Sequence, residues 1–306
     1  MKIIVSGGSG FVGSHTIKAL KEKGYEVFNY DIRNKDGSEK GWDIRNRYLL
    51  EEVIEEGDKV LHLAAIARFG EADKDPLLAF ETNVLGTQNI AKACEVNGAE
   101  RMVYSSTGSV YMPIEQEPPI TEDFICKGNS VYACCKYLGE LMIKKECKTA
   151  PYIILRYAHL FGEGKTGHGA VGGFIDRMNR GLLPILYGGK QSNDFTYIKD
   201  VVEANIRALE CDKECFNQAY NIGTSEELTT IQVFEILKEI FGYNTEFERL
   251  PARSVDPLRF VFDTSKAEKL LGFKAKYNFR AGMEDWIKDM KENKTLPQIT
   301  RKNHEI

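Results

Sequence analysis

The stretch Lys2-Ile3-Ile4-Val5-Ser6-Gly7-Gly8-Ser9-Gly10-Phe11-Val12-Gly13 decides the fold. Residues 2 to 6 form a short β-branched run that reads as a buried strand. Gly7, Gly10 and Gly13 follow with G-x-x-G-x-x-G spacing, and Ser14 to Lys23 has helical character with a stop at Gly24. Glycines between a strand and a helix allow a tight turn and close backbone approach to a pyrophosphate. The N–H groups that open the helix then face the anion. Phe11 and Val12 sit inside that turn and belong to the same expected contact set.

Moving outward, Glu26 to Tyr30 reads as a second strand, and it ends in Asp31, 18 positions after Gly13. A carboxylate at about that spacing bonds an adenosine ribose and repels a 2′-phosphate, which favours NAD over NADP. Arg33 leaves the second choice open, because a nearby arginine can hold that phosphate. Trp42-Asp43-Ile44-Arg45 is expected to start the next helix, with Asp43 as its cap. Lys59 to Leu63 reads as the third strand, and Ala64-Ala65 leaves room for a ligand to approach. Residues 77 to 97 and 131 to 148 read as two longer amphipathic helices, with strands at Arg101–Tyr104 and Tyr152–Leu155. Alternating strands and helices predict a doubly wound parallel α/β sheet with ligands at the carboxyl ends of its strands.

After Phe161 the character changes. Residues 162 to 172 hold five glycines and no clear period, which predicts a flexible substrate-facing loop. Helices are expected over Phe174–Arg180, Val201–Glu210, Leu228–Phe241, Thr264–Leu271 and Ala281–Lys291, with short strands at Phe195–Ile198 and Tyr220–Ile222. The tail from Glu292 is polar. The chain divides as two interleaved lobes: 1–160 with 195–224 for the cofactor, and 161–194 with 225–306 for the substrate.

Composition bounds the partners. With 306 residues, 42% apolar and 28% charged, the chain reads as globular. A net charge of −4 gives no basic field for nucleic acid. No apolar run reaches membrane length and the N-terminus does not read as a signal peptide, so a cytoplasmic location is expected. Seven scattered cysteines without C-x-x-C read as reduced thiols rather than disulfides or a metal site.

Val131-Tyr132-Ala133-Cys134-Cys135-Lys136 places a phenol and an ammonium on one helix face. The lysine is expected to lower the tyrosine's pKa, so that the phenolate can take a proton from an alcohol. Ser105-Ser106-Thr107 ends the fourth strand with hydroxyls placed to bond a substrate oxygen.

Together these residues resemble the extended short-chain dehydrogenase/reductase family, and within it the nucleotide-sugar epimerases and dehydratases. The glycine turn, Asp31, Trp42-Asp43-Ile44-Arg45 and Leu63-Ala64-Ala65 carry the resemblance. So do Thr82-Asn83-Val84-Leu85-Gly86-Thr87, Ser105-Ser106-Thr107, Tyr132/Lys136, Leu155-Arg156-Tyr157, Asp194-Phe195-Thr196-Tyr197-Ile198 and Tyr220-Asn221-Ile222-Gly223. The block Asp256-Pro257 to Asp263-Thr264-Ser265-Lys266-Ala267 completes the set. It implies a Rossmann-type sheet with a smaller mixed α/β substrate lobe, and NAD as cofactor. By resemblance, Tyr132 is the base, Lys136 holds the nicotinamide ribose and tunes Tyr132, and Thr107 bonds the sugar hydroxyl. Asp31 takes the adenosine ribose, with Arg33 beside it. Asp43 and Ile44 flank the adenine, and Leu63, Ala64, Ala65, Asn83 and Ser105 line the cofactor channel.

Members of such families that eliminate water or carbon dioxide carry a carboxylate after the active-site hydroxyl, where this chain has Gly108 and Ser109. The resemblance therefore favours 4-epimerisation of a nucleotide sugar, most simply UDP-glucose and UDP-galactose. A dehydratase, decarboxylase or keto-sugar reductase is the alternative, and a non-catalytic NAD sensor a further one. The substrate half departs from the family pattern. His159 follows Tyr157-Ala158 where an asparagine is usual one place earlier, Asn193 replaces an arginine, Met112 and Val255 replace glycines, and Arg253 is retained. His159, Asn193 and Arg253 are the expected diphosphate contacts. The helices at 77–97 and 131–148 imply a homodimer through a four-helix bundle.

Overall fold

The computed structural model describes residues 1–34, 41–164, 169–243, 245–252 and 257–292. The first part of the chain runs β1 (Ile3–Ser6), α1 (Phe11–Glu22), β2 (Val27–Tyr30), α2 (Arg47–Val53), β3 (Lys59–His62), α3 (Phe69–Lys74) and α4 (Pro76–Phe80). A π-helical turn, Glu81–Leu85, joins α4 to α5 (Gly86–Asn97), followed by β4 (Arg101–Thr107), a 3₁₀ turn (Gly108–Tyr111), α6 (Val131–Glu146) and β5 (Tyr152–Tyr157). Next come β6 (His159–Phe161), α7 (Gly169–Asn179), β7 (Ile185–Tyr187), β8 (Ser192–Asn193), β9 (Phe195–Tyr197), α8 (Ile198–Glu210) and β10 (Gln218–Ile222). The remainder is β11 (Leu228–Thr229), α9 (Thr230–Phe241), β12 (Glu248–Leu250), β13 (Arg259–Phe260), α10 (Ser265–Leu271) and α11 (Phe279–Glu292).

Six parallel strands form the main sheet in the order β10-β5-β4-β3-β1-β2. From β1 the chain turns one way to β2 and the other way to β3. The carboxyl ends of β1 and β3 therefore bound the crevice where a doubly wound sheet takes its ligand. One apolar core unites Val5, Leu61 and Val103 of the sheet with α1, α8 and the aromatic interior of the later helices. A second, with Ile4, Ile90, Met102 and Ile143, lies under α2, α5 and α6. Strands buried on both faces explain the unbroken apolar runs of the sequence. Smaller sheets, β11-β8-β13, β12-β7 and β6-β9, build the rest.

Three expectations change. Asp43 does not cap α2. Its carboxylate takes the N–H and guanidinium of Arg45 two residues on, and Asn46 caps the helix at Leu49. An aspartate can close a turn on its own backbone as readily as it caps a helix, and here the turn wins. The expected loop at 162–172 is helical from Gly169, because the Val171, Phe174, Ile175 and Met178 face is buried and outweighs the glycines. The fourth strand also runs further than expected, so Ser105 to Thr107 belong to β4 itself.

Candidate active site

The glycine turn closes against the third strand. A Cβ on Gly7 would stand 2.6 Å from the Ala64 nitrogen, and Gly7 has φ of 71°. A Cβ on Gly13 would stand 2.3 Å from the Gly7 oxygen. No side chain caps α1, whose N-cap is Gly10, so its first N–H groups face the crevice as an anion site. Asp31 is buried at the end of β2 and accepts from the Ser9 N–H (3.0 Å) and from Arg33 (Nε, 3.1 Å). Burial opposes its charge, but Arg33 and the backbone donors outweigh that and hold the carboxyl below its usual range. This uncapped turn with an ionised acid beyond it fits an adenine dinucleotide.

The remaining expected channel residues divide. Leu63, Ala64 and Ala65 stand half-buried at the end of β3. Ser105 is buried in β4. Asn83 is spent on bracing the loop. Its amide bonds both the N–H and the carbonyl of Ile66, at 2.8 and 3.0 Å. It fixes Ile66, the residue after Ala64-Ala65. Ile44 is buried beneath Gly86 in the second core, and Asp43 is held by Arg45.

Thr107, Tyr132 and Lys136 come together from β4 and α6. Ser130 caps α6 by accepting from the Ala133 N–H (3.2 Å), which fixes Tyr132 in the first turn and Lys136 one turn on. The Thr107 hydroxyl faces Tyr132 closely enough to favour its ionised form, and the Tyr132 ring packs edge-on against Phe69 (5.3 Å). The expected tuning is not present in the protein alone. Burial pushes the Tyr132 phenol up to about 12, only partly offset by Thr107. Burial also pushes Lys136 down to about 7, against the pull of Glu140. Both charged forms lose water in this apolar setting, and burial, not the lysine, sets the acidity of the phenol.

Behind this pair lies a buried brace that the sequence reading missed. Glu140 on α6 accepts from Ser106 Oγ (2.6 Å) and from Arg156 Nη2 of β5 (2.6 Å). Arg156 also donates to the Tyr111 hydroxyl (2.8 Å), which donates to Asn221 Oδ1 of β10 (2.8 Å). The brace ties β4, β5, β10, α6 and the 3₁₀ turn into one frame. A strand arginine and a helix glutamate four residues after Lys136 were its only signal.

The corner expected to take the substrate is aromatic. A Cβ on Gly108 would lie 2.4 Å from Phe260 Cζ and 2.6 Å from Phe262 Cζ, so these fully buried rings roof the position after Thr107. His159 is exposed, stacks edge-on against Phe260 (5.2 Å), and donates its N–H to the Asp194 carbonyl (3.0 Å). Asn193 lies next in β8, paired in register with Phe260. Asp194 is fully buried and accepts from Thr224 and Ser225, which anchors this corner to the end of β10. Arg253, with Val255, lies outside the described residues.

A parallel sheet with an uncapped glycine turn at its switch point defines a dinucleotide-binding protein. The family model described as the NAD dependent epimerase/dehydratase family matches residues 3–223. A Methanocaldococcus jannaschii relative, provisionally assigned as a UDP-glucose 4-epimerase, is 32% identical over 95% of this chain and 99% of its own. The UDP-glucose 4-epimerase of Thermotoga maritima, solved with UDP-glucose, is 29% identical with a TM-score of 0.86, over 96% of this chain and 99% of that one. A dTDP-glucose 4,6-dehydratase from Streptomyces venezuelae, solved with NAD, is 25% identical with a TM-score of 0.85, over 96% and 98%. The chain belongs to the NAD dependent epimerase/dehydratase family.

Proposed function

We propose that this protein is an NAD-dependent nucleotide-sugar 4-epimerase, most simply of UDP-glucose and UDP-galactose, acting through a transient 4-keto sugar. The observation that carries the reading is the roof over Gly108. Elimination of water needs an acid and a base beside the sugar. The position after Thr107 has no room for any side chain while Phe260 and Phe262 stand over it. Epimerisation needs no such group, because the keto sugar turns and the same hydride returns to its other face.

NAD held in the crevice would supply the acceptor for hydride from the sugar's C4. The chain's own residues do the rest. Thr107 Oγ1 orients the sugar's 4-hydroxyl, and Tyr132 Oη takes its proton as hydride departs. Lys136 holds the nicotinamide ribose. A phenol near 12 is a poor acid at neutral pH, so ionised Tyr132 must draw on the positive charge that NAD brings to the site. Gly7, Gly10, Phe11, Val12 and Gly13 hold the pyrophosphate, and Asp31 the adenosine ribose. The nucleotide diphosphate lies between the lobes at 1–160 with 195–224 and 161–194 with 225–306, against His159, Asn193 and Arg253.

A homodimer through α4–α5 and α6 is part of this reading. Leu77, Phe80, Leu85 and Leu141 are exposed on those helices. Light scattering after size exclusion should give twice the chain mass, and a monomer would remove the bundle. The catalytic claim is tested by incubating the protein and NAD with a panel of nucleotide sugars and reading products by NMR. Inversion at C4 in at least one is expected, and none in any would sink the assignment.

A further inference from the structure

We infer that Tyr104, a residue of β4, is the positioning residue that holds the Lys136 ammonium charged and in place. Lys136 is buried, and its Nζ lies 4.1 Å from the centroid of the Tyr104 ring. A cation over an aromatic face is attracted by the ring's negative quadrupole, most strongly when both are out of water. The carboxylate on the same helix, Glu140, also favours that charge, but it acts electrostatically: both its oxygens are hydrogen-bonded to Arg156 and Ser106. The inference rests on the proposed role of Lys136 and deepens it.

The ring is itself held from several sides. Its hydroxyl donates to the Lys136 carbonyl (3.3 Å), and burial keeps that phenol protonated. Gly139 admits it, since a Cβ there would stand 2.5 Å from the Tyr104 oxygen. His62 of β3 packs against the ring at 5.3 Å and 37°. Thr87 Oγ1 donates to the Asn83 carbonyl (2.7 Å), so it accepts from His62 Nε2 (2.9 Å). His62 Nδ1 therefore accepts from Ser6 Oγ (2.6 Å). Burial, and then the charge of Lys136, keep that histidine neutral. The titratable groups facing Lys136 are thus Tyr132, Cys135 and Glu140 of α6, Tyr104 of β4 and His62 of β3. Among them Glu140 favours its charge electrostatically, and the Tyr104 ring favours it by direct contact.

The test replaces the ring's electrons without changing its shape. Tyr104→Phe and its graded ring-fluorinated counterparts at position 104 are labelled with ¹³Cε-lysine, and Lys136 is assigned as the resonance missing from Lys136→Met. Titrated without substrate, Lys136 should turn over near 7 in the unsubstituted protein. Between Tyr104→Phe and the fully fluorinated ring, the midpoint should fall by roughly 0.5–1.5 pH units. The alkaline limb of kcat should move with it. Coincident midpoints across the series overturn the inference. A moved midpoint with an unmoved limb leaves the ring's hold on Lys136 standing and breaks the proposed role of Lys136 instead.

Discussion

The two ends of the site are built by different means. The cofactor end is a matter of backbone: at Gly7 and Gly13 a single added carbon would strike main-chain atoms. The proposed substrate corner is a matter of side chains: Gly108 is walled by two phenylalanine rings from β13 and the residues just after it, some 150 positions along the chain. Backbone constraint permits one residue type at a fixed spacing. Side-chain constraint can be met by many residues, and it leaves the corner free to change substrate while the cofactor end stays put. Tyr132 and Lys136 stand where the two meet.

The largest effect should come at that junction. Tyr132→Phe is expected to lower kcat by roughly a thousandfold while NAD affinity, measured by calorimetry, changes little. An equal loss of NAD affinity would move Tyr132 wholly into the cofactor end. A linked outcome concerns pH. Positive charge favours phenolate, so the Tyr132 midpoint, seen as the ultraviolet difference from Tyr132→Phe, should fall well below about 12 when NAD binds.

The brace beneath both ends should matter to stability. Arg156→Met leaves the buried Glu140 carboxylate unpaired and should cost about 3–5 kcal/mol in denaturant unfolding. Pairing it with Glu140→Met should recover most of that loss, since two apolar groups replace two charges. The glycines then separate the halves. Gly7→Ala forces a left-handed residue against Ala64 and should weaken NAD binding by about thirty- to a thousandfold, on a strain and clash cost of roughly 2–4 kcal/mol. Gly108→Ala should cost about 1–3 kcal/mol as the two rings give way, spare NAD binding and depress sugar turnover. If Gly108→Ala weakened NAD binding as much as Gly7→Ala, the division would fail.

The smallest effect lies outside both ends. Glu95 accepts from the Lys148, Thr149 and Ala150 N–H groups, which overcome its partial desolvation and hold it at about 2. Its contribution is present above the ordinary glutamate range and is lost as pH falls from about 4.5 toward 2. Glu95→Gln should cost about 1 kcal/mol at neutral pH, and the gap from the parent should close in acid without any change in turnover.

What the sequence made legible follows the same division. The glycine turn, Asp31 and the Tyr132/Lys136 pair each depend on spacing within a strand, turn or helix, and their elements fell where the spacing put them. Asp43 was misplaced because a turn and a helix cap ask for the same side chain. The acidity of Tyr132 was misjudged because burial is a tertiary property that a four-residue spacing does not record. Tyr104 reads in sequence as one more apolar strand residue, and Glu140 as a solvated helix charge. Only the packing of α6 on β4 and β5 gives them their contacts. Phe260 and Phe262 acquire meaning only when β13 pairs with β8 beside Gly108.

The central claim is that hydride leaves and returns at the same carbon, with no carboxylate at position 108 to divert the keto sugar. It is tested most directly with a nucleotide hexose deuterated at C4, incubated with the protein and NAD. The account predicts a mixture of C4 epimers that keeps the label at C4 and builds up no NADH. Loss of water, loss of the C4 label or steady NADH formation would contradict it.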